Sequence, residues 1–216
     1  MNPRGPAPRV VLATRNPGKA SEIATIYGRL GVTWLTLEDF PGVRPVEEVG
    51  VTYAENAAAK AIAASSATGL PALADDSGIE VDALGGAPGV HSARFLGEGA
   101  TDAERNARLL DLLADIHPEE RTARYRAAVA VAVPGGSVRV FEGRCEGHIA
   151  TSSRGSGGFG YDPIFVPEGD ARTMAEVPAA TKNRISHRAR ALRAAEPYLV
   201  ALIGLPQKDR SAGSAE

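Results

Sequence analysis

The chain has a single cysteine, Cys145, which excludes an intramolecular disulfide framework and any cysteine-rich metal site. Cys145 lies in an alternating, strand-like stretch, so a packed thiol is expected there rather than a nucleophile. Charge excess is missing as well. Across 216 residues, 24 Lys and Arg stand against 26 Asp and Glu, so bulk electrostatics gives no reason to expect nonspecific binding to nucleic acid or to a membrane surface. Any anion site has to be built locally. No apolar run approaches the ~20 residues that span a bilayer, and the N-terminus carries no secretory apolar core. The expectation is a soluble, cytoplasmic chain with neither a nucleic-acid nor a membrane partner.

The length suits one large α/β domain, set at residues 9–205, with loose termini at 1–8 and 206–216. Arg9–Thr14 reads as a buried strand. Lys19–Leu30 reads as a helix with Ile23, Ile26 and Leu30 on one face. Thr52 and Glu55 have capping-box spacing at the start of a helix over 52–67. Strands are expected at 70–74 and near 79–81. A helix is expected at 102–113 behind the Thr101 cap. A hairpin pairs 124–133 with 137–142 around "PGGS", and a further strand is read at 144–150. A last helix spans 187–202 with Pro197 inside it. Strands and helices alternate early and strands cluster late, which predicts an α/β fold with a mixed sheet and helices on its faces.

Four stretches attract chemistry. In "LADDSGIEV" a strand-like run meets two adjacent carboxylates, Asp75 and Asp76, then Ser77 and Gly78. A plain turn explains the local pattern, since Asp, Ser and Gly all favour turns. In "ATRNPGKASE" a strand feeds an Asn-Pro-Gly turn, with Pro17 suited to open a helix and Lys19 in its first turn. A helix start of this kind is a natural phosphate seat, although an ordinary βα turn fits this stretch equally well. It is not a Walker A loop, because the leading Gly is missing and Ala20 stands where a magnesium-binding hydroxyl would be.

In "TKNRISHRARALR", Ser186 is placed to cap the last helix, with His187 and Arg188 in its first turn. Cations there oppose the helix dipole, and a bound anion, also within reach of Lys182, reverses that sign, although a solvated basic face, to which Arg190 and Arg193 belong, is the alternative reading. In "GSGGFGYDPIFVP", glycines surround Phe159, Gly160, Tyr161 and Asp162, so that backbone and an aromatic ring can approach a flat ligand. A glycine-rich hairpin with core aromatics reads equally well. A second acidic pair, Glu47 and Glu48 in "PVEEVG", precedes the capped helix. Carboxylates near phosphate-seeking cations suit Mg²⁺, which takes carboxylate oxygens, water and substrate phosphates. His91, His117 and His148 have no spacing that suggests a metal site.

Together "LATRNPGK", "EEVGVTYAENAAAKA", "ADDSGIEVDALGGAPGVHSARF", "GGFGYDPIF" and "KNRISHRARAL" resemble, in order, the inosine triphosphate pyrophosphatase family over about Val10 to Leu202. Arg15 stands where that family often has a small residue, and Ala189 where it often has Gly. The resemblance implies a long mixed central sheet with flanking helices, two lobes enclosing a substrate cleft, and a homodimer. It implies Mg²⁺-dependent hydrolysis of ITP, dITP and XTP to monophosphate and pyrophosphate.

By the same resemblance, Thr14, Arg15, Asn16, Pro17, Gly18 and Lys19 contact the triphosphate. Glu47 and Asp76 hold the metal, with Glu48 as the substitute for Glu47, and Asp76 activates water. Asp75 supports the site and Ser77 touches substrate. Phe159 to Asp162 receive base and sugar, and Lys182, His187 and Arg188 complete the pocket. Lys60 and Arg94 are further phosphate contacts with less support. The alternatives are a Maf-like pyrophosphatase with another base preference and a noncatalytic nucleotide-binding module.

Overall fold

The computed structural model describes residues 7–44 and 46–204. The expectation of loose termini therefore falls mostly outside the described residues. Six strands form one sheet: β1 (Arg9–Leu12), β2 (Thr33–Thr36), β3 (Ala72–Val81), β4 (Thr122–Ala132), β5 (Val138–Ile149) and β6 (Phe165–Pro167). Their order is β2-β1-β3-β4-β5-β6. β1 runs parallel to β2 and β3, and the remaining pairs are antiparallel. Among the described residues five α-helices flank it: α1 (Pro17–Ile26), α2 (Tyr53–Thr68), α3 (Asp102–Leu112), α4 (Ala179–Ile185) and α5 (His187–Leu202). The mixed sheet with helices on its faces is as the sequence predicts. Among the described residues no helix is long and apolar enough to cross a membrane.

Local chemistry sets most of the boundaries. Asn16 caps α1 by accepting from the Lys19 N–H, and Pro17 occupies the first helical position, where its missing N–H costs nothing. The helix ends at Ile26 rather than at residue 30, because a separate 3₁₀ turn carries Leu30 to a left-handed Gly31. Thr52, Thr101 and Ser186 cap α2, α3 and α5 through their side chains.

Two expected breaks do not exist. The strands read at 70–74 and 79–81 are one strand, β3, which carries Asp75 and Asp76 in mid-run opposite Val129 and Ala128 of β4. Likewise 137–142 and 144–150 merge into β5, with Gly143 inside it. The turn-forming residues Asp, Ser and Gly yield here to tertiary pairing. Two short elements, β2 and α4, carried no strong sequence pattern and were not expected.

β3, β4 and β5 are long enough to pass through two cores. On one half of the sheet Leu73, Val129 and Val131 pack with α1 and α5, while Ala72, Ala74 and Ala130 pack with α2 on the opposite face. Further along, Ile79, Val81, Ala123 and Tyr125 enter a separate core with Leu109, Phe165 and Met174. Asp75 to Gly78 form the stretch of β3 between these cores. β1 pairs with β3 only as far as Leu12 opposite Leu73, so the β3 edge is open from there to Ile79, where Ser92 and the 86–88 turn bond to it. The cleft lies there, at the carboxyl end of β1.

α5 sits against β5 at a glycine. A Cβ on Gly143 would come within 2.3 Å of the His187 carbonyl and 2.4 Å of the Ala191 nitrogen. Gly143→Ala is therefore expected to lower stability by about 1–3 kcal/mol through overpacking. An unchanged urea midpoint would mean that α5 is not seated by this contact.

Candidate functional site

Alternation along β3 resolves the adjacent carboxylates, since successive strand side chains point to opposite faces. Asp75 faces α5 and α1: its Oδ2 accepts from Arg188 Nε at 2.9 Å, and Lys19 Nζ lies 3.1 Å from Oδ1. Ser77, on the same face, accepts from Arg188 Nη2 at 2.9 Å. Asp76 faces α2: Oδ1 accepts from Lys60 Nζ at 3.0 Å and Oδ2 from Asn56 Nδ2 at 3.1 Å. The two like charges are thus held apart by the sheet, each with its own cationic partner.

The environments then divide their roles. Burial alone would raise the Asp75 carboxyl, but Arg188, Lys19 and Lys60 outweigh it and hold it well below the usual carboxylate range. Asp76 goes the other way: burial raises its pKa, Glu48 adds to the rise, and Lys60 and Lys19 only partly offset it. A carboxylate pushed upward beside a cleft is the better proton acceptor. Asp75 is a fixed anion that anchors cations.

Two adjoining cavities open at this edge, of about 270 and 150 Å³. The larger is lined by Thr14, Arg15, Asn16, Lys19, Arg44, Glu48 and Lys60, a cationic set around one carboxylate. The smaller is lined by Asp76, Ser77, Phe159 to Asp162, Lys182, His187 and Arg188, and shares Asn16, Lys19 and Glu48 with the first. The four separated motifs therefore meet in one cleft. Pro17 and Gly18 line neither cavity. Pro17 starts α1, and Gly18 lets the Phe159 ring pack against its α-carbon, where a Cβ would come within 2.7 Å.

Several side chains take places the motifs did not specify. Glu47 is exposed, whereas Glu48 is partly buried, accepts from Lys60 Nζ at 2.7 Å and lines both cavities. Arg94 donates to the Glu48 carbonyl at 3.1 Å, so it braces the loop rather than opening toward a phosphate. The Tyr161 ring is buried in the second core and its hydroxyl donates to the Ser92 carbonyl at 2.9 Å. Phe159 is an aromatic wall of the smaller cavity together with Tyr125, with the Lys182 and Arg188 cations 4.8 and 5.4 Å from its ring centre.

The cations at the start of α5 are already balanced. Arg188 pairs with Asp75 and Glu22, and Lys182 with Glu22 and Asp162. His187 stacks on Tyr125 with ring centres 4.5 Å apart, and burial with the nearby Arg188 charge holds it well below its usual pKa, hence neutral. The dipole argument for a bound anion there gives way to internal carboxylates. Glu22 closes the stretch "ATRNPGKASE" and Asn56 lies within "EEVGVTYAENAAAKA", but the pattern assigns neither a role there, and Arg44, Asp102 and Arg105 lie in no motif stretch. Glu22 lies three residues after Lys19 on α1, a spacing that puts both on one helix face, and this was the available clue.

Two hard oxygen donors, Glu48 Oε1 and Asp76 Oδ1, sit on the same ammonium, Lys60 Nζ. Among the described residues no third His, Cys, Asp or Glu joins them. That donor set fits Mg²⁺, which binds through one or two carboxylates and fills its octahedron with water and substrate phosphates.

The sequence matches the Ham1 family over residues 10–198, a span that includes every motif lining the cleft. This chain belongs to the Ham1 family. It is 53% identical over 191 residues to a dITP/XTP pyrophosphatase of Geobacter sulfurreducens, covering 88% of this chain and 96% of that protein. It is 54% identical over 187 residues to a dITP/XTP pyrophosphatase of Thermus thermophilus, covering 86% and 89% respectively. A solved HAM1 protein from Coxiella burnetii superimposes with a TM-score of 0.81 at 40% identity, over 90% of this chain and 99% of that one.

Proposed function

We propose that this Ham1 protein hydrolyses the non-standard purine nucleoside triphosphates ITP, dITP and XTP to monophosphate and pyrophosphate, with Mg²⁺ held by Glu48 and Asp76. The observation that carries this reading is Asp76, whose raised carboxyl shares Lys60 with Glu48 where the cation-lined cavity joins the Phe159 cavity. Glu48 takes the metal-ligand role in place of the exposed Glu47.

The metal, when bound, neutralises triphosphate charge and fixes its orientation. Asp76 accepts the proton of the attacking water, a role its upward-shifted carboxyl suits. Lys19 and the start of α1 carry the charge that develops on the phosphates. Of the first α1 amides, the Lys19 N–H is taken by Asn16 and Pro17 has none, which leaves the Gly18 N–H without an intrahelical partner. Attack at the α-phosphorus, with pyrophosphate leaving, accords with the names of the related proteins.

For the base, hypoxanthine and xanthine offer a 6-oxo acceptor where adenine offers an amino donor. Donors around Phe159 to Asp162 pair with the former and face the latter unpaired, which is the basis of strong discrimination. Assembly as a homodimer belongs to the same proposal.

The test is product analysis by ion-exchange chromatography after incubation with Mg²⁺ and ITP, XTP, GTP or ATP. Monophosphate plus pyrophosphate from ITP and XTP, with ATP and GTP largely intact, is the expected result. Diphosphate plus phosphate would reassign the phosphorus attacked, and absence of turnover would leave a binding module.

A further inference from the structure

Helix α3 reaches the cleft through its first two turns, and there it holds one residue by both ends. Asp102 Oδ2 accepts from the Gly160 N–H at 2.6 Å, and Asn106 Nδ2 donates to the Gly160 carbonyl at 3.0 Å. Asp102 is itself fixed, since its Oδ1 accepts from Arg105 Nη2 at 2.6 Å, and Arg105 Nη1 donates to the carbonyls of Ala93 and Ala100. Asn106 is buried, and its Oδ1 has no partner among the described residues, so the Gly160 carbonyl orients the amide. Neither residue belongs to a motif that marks the site.

The two bonds act on different peptide planes. In a planar trans peptide the carbonyl and the next N–H point in opposite directions. Asp102 draws the Gly160 N–H toward α3 and so turns the Phe159 carbonyl away from it. Asn106 draws the Gly160 carbonyl toward α3 and so turns the Tyr161 N–H away. That N–H has no backbone partner among the described residues and lies toward the Tyr125 hydroxyl, and Gly160, Tyr161 and Tyr125 all line the smaller cavity. Gly160 sits at φ +65°. Without a Cβ the peptides on either side of a glycine rotate with little steric cost, so their polarity needs an external hold.

We infer that Asp102 and Asn106 are positioning residues that lock the polarity of the two Gly160 peptides and thereby set the preference for a 6-oxo over a 6-amino purine. The inference rests on the base site proposed above. With both bonds in place the loop meets the purine 6-position with a donor, the Tyr161 N–H. Released, the same peptides can reverse and present a carbonyl, which accepts from an adenine amino group.

The test is steady-state kinetics with ITP and ATP for the parent and for Asp102→Ala, Asn106→Ala and Asp102→Asn, each with a thermal melt. Both alanine variants are expected to raise KM for ITP with little change in kcat. They are also expected to lower the ITP-to-ATP ratio of kcat/KM about tenfold, the scale of one hydrogen bond. Asp102→Asn, whose amide oxygen still accepts from Gly160, is expected to keep the ratio. Equal losses for ITP and ATP, or a ratio unmoved in the alanine variants, would overturn the lock and leave a merely structural role. Should Asn106→Ala not fold, Asn106→Leu removes the donor at a similar size and reads the same ratio. A parent with no ITP preference would instead remove the proposed base site itself.

Discussion

Asp76→Asn is expected to reduce kcat for ITP by about 10²–10⁴, the range for losing a positioned general base, while the protein stays folded. The amide keeps the shape, and its single oxygen can still accept from Lys60 or from Asn56, though not from both of these donors, so part of the core contact survives. What disappears is proton acceptance and one of the two anionic oxygens proposed to hold Mg²⁺. The loss should therefore appear in kcat together with a Mg²⁺ titration shifted to higher concentration. Glu48→Gln should shift the Mg²⁺ titration the same way with a smaller loss of kcat, and Glu47→Gln should change neither. If Asp76→Asn retained parental turnover, the water-activating role would be wrong. If Glu47→Gln and not Glu48→Gln altered the Mg²⁺ titration, the metal assignment would revert to Glu47.

Arg188→Met is expected to be the most destabilising single change at the site, by about 3–5 kcal/mol, because removing one partner of a buried ion pair strands the others. Arg188 is 1% exposed and joins Asp75, Glu22 and Ser77. Without it, two carboxylates remain in the interior with fewer cations. For a chain of this length a loss of that size lowers Tm by roughly 10 °C. Arg188→Lys should recover only part, since a single ammonium cannot reproduce a planar fork that meets three partners at once. Adding Asp75→Asn to Arg188→Met should give back stability relative to the sum of the single variants, the mark of a coupled pair. A melting point unchanged in Arg188→Met would show that Asp75 and Glu22 find enough compensation elsewhere.

Burying so much charge places this network at the junction of the two halves. Asp75 belongs to β3, Glu22 to α1, and Arg188 to α5, while Lys182 on α4 extends the chain to Asp162 in the glycine-rich loop. The elements that flank the cleft are thereby tied across it by ion pairs in addition to the apolar packing that α1, α5 and β3 share. Stability and site geometry are coupled as a consequence, so variants here should be read by both melt and kinetics.

Much of this protein follows from its sequence alone. The caps at Asn16, Thr52, Thr101 and Ser186 are local chemistry, a side-chain oxygen meeting an N–H three residues on, and the helices start where those residues stand. The buried strands β1 and β4 and the hairpin turn after β4 are legible for the same reason, since their signals lie within a few residues. The motif stretches that gather in the cleft were also visible as unusual groupings of charge and glycine.

The tertiary structure decided what depended on distant partners. Whether "DDSG" turns or continues as strand was settled by ten residues of pairing between β3 and β4 and by cations from α1, α2 and α5. Whether Glu47 or Glu48 faces the cleft depended on Lys60, twelve residues beyond Glu48. The cations before and within α5 looked ready for a phosphate because their neutralising carboxylates, Glu22 and Asp75, lie more than a hundred residues away. A charge shows its sign in the sequence, but only the fold shows what it is set against.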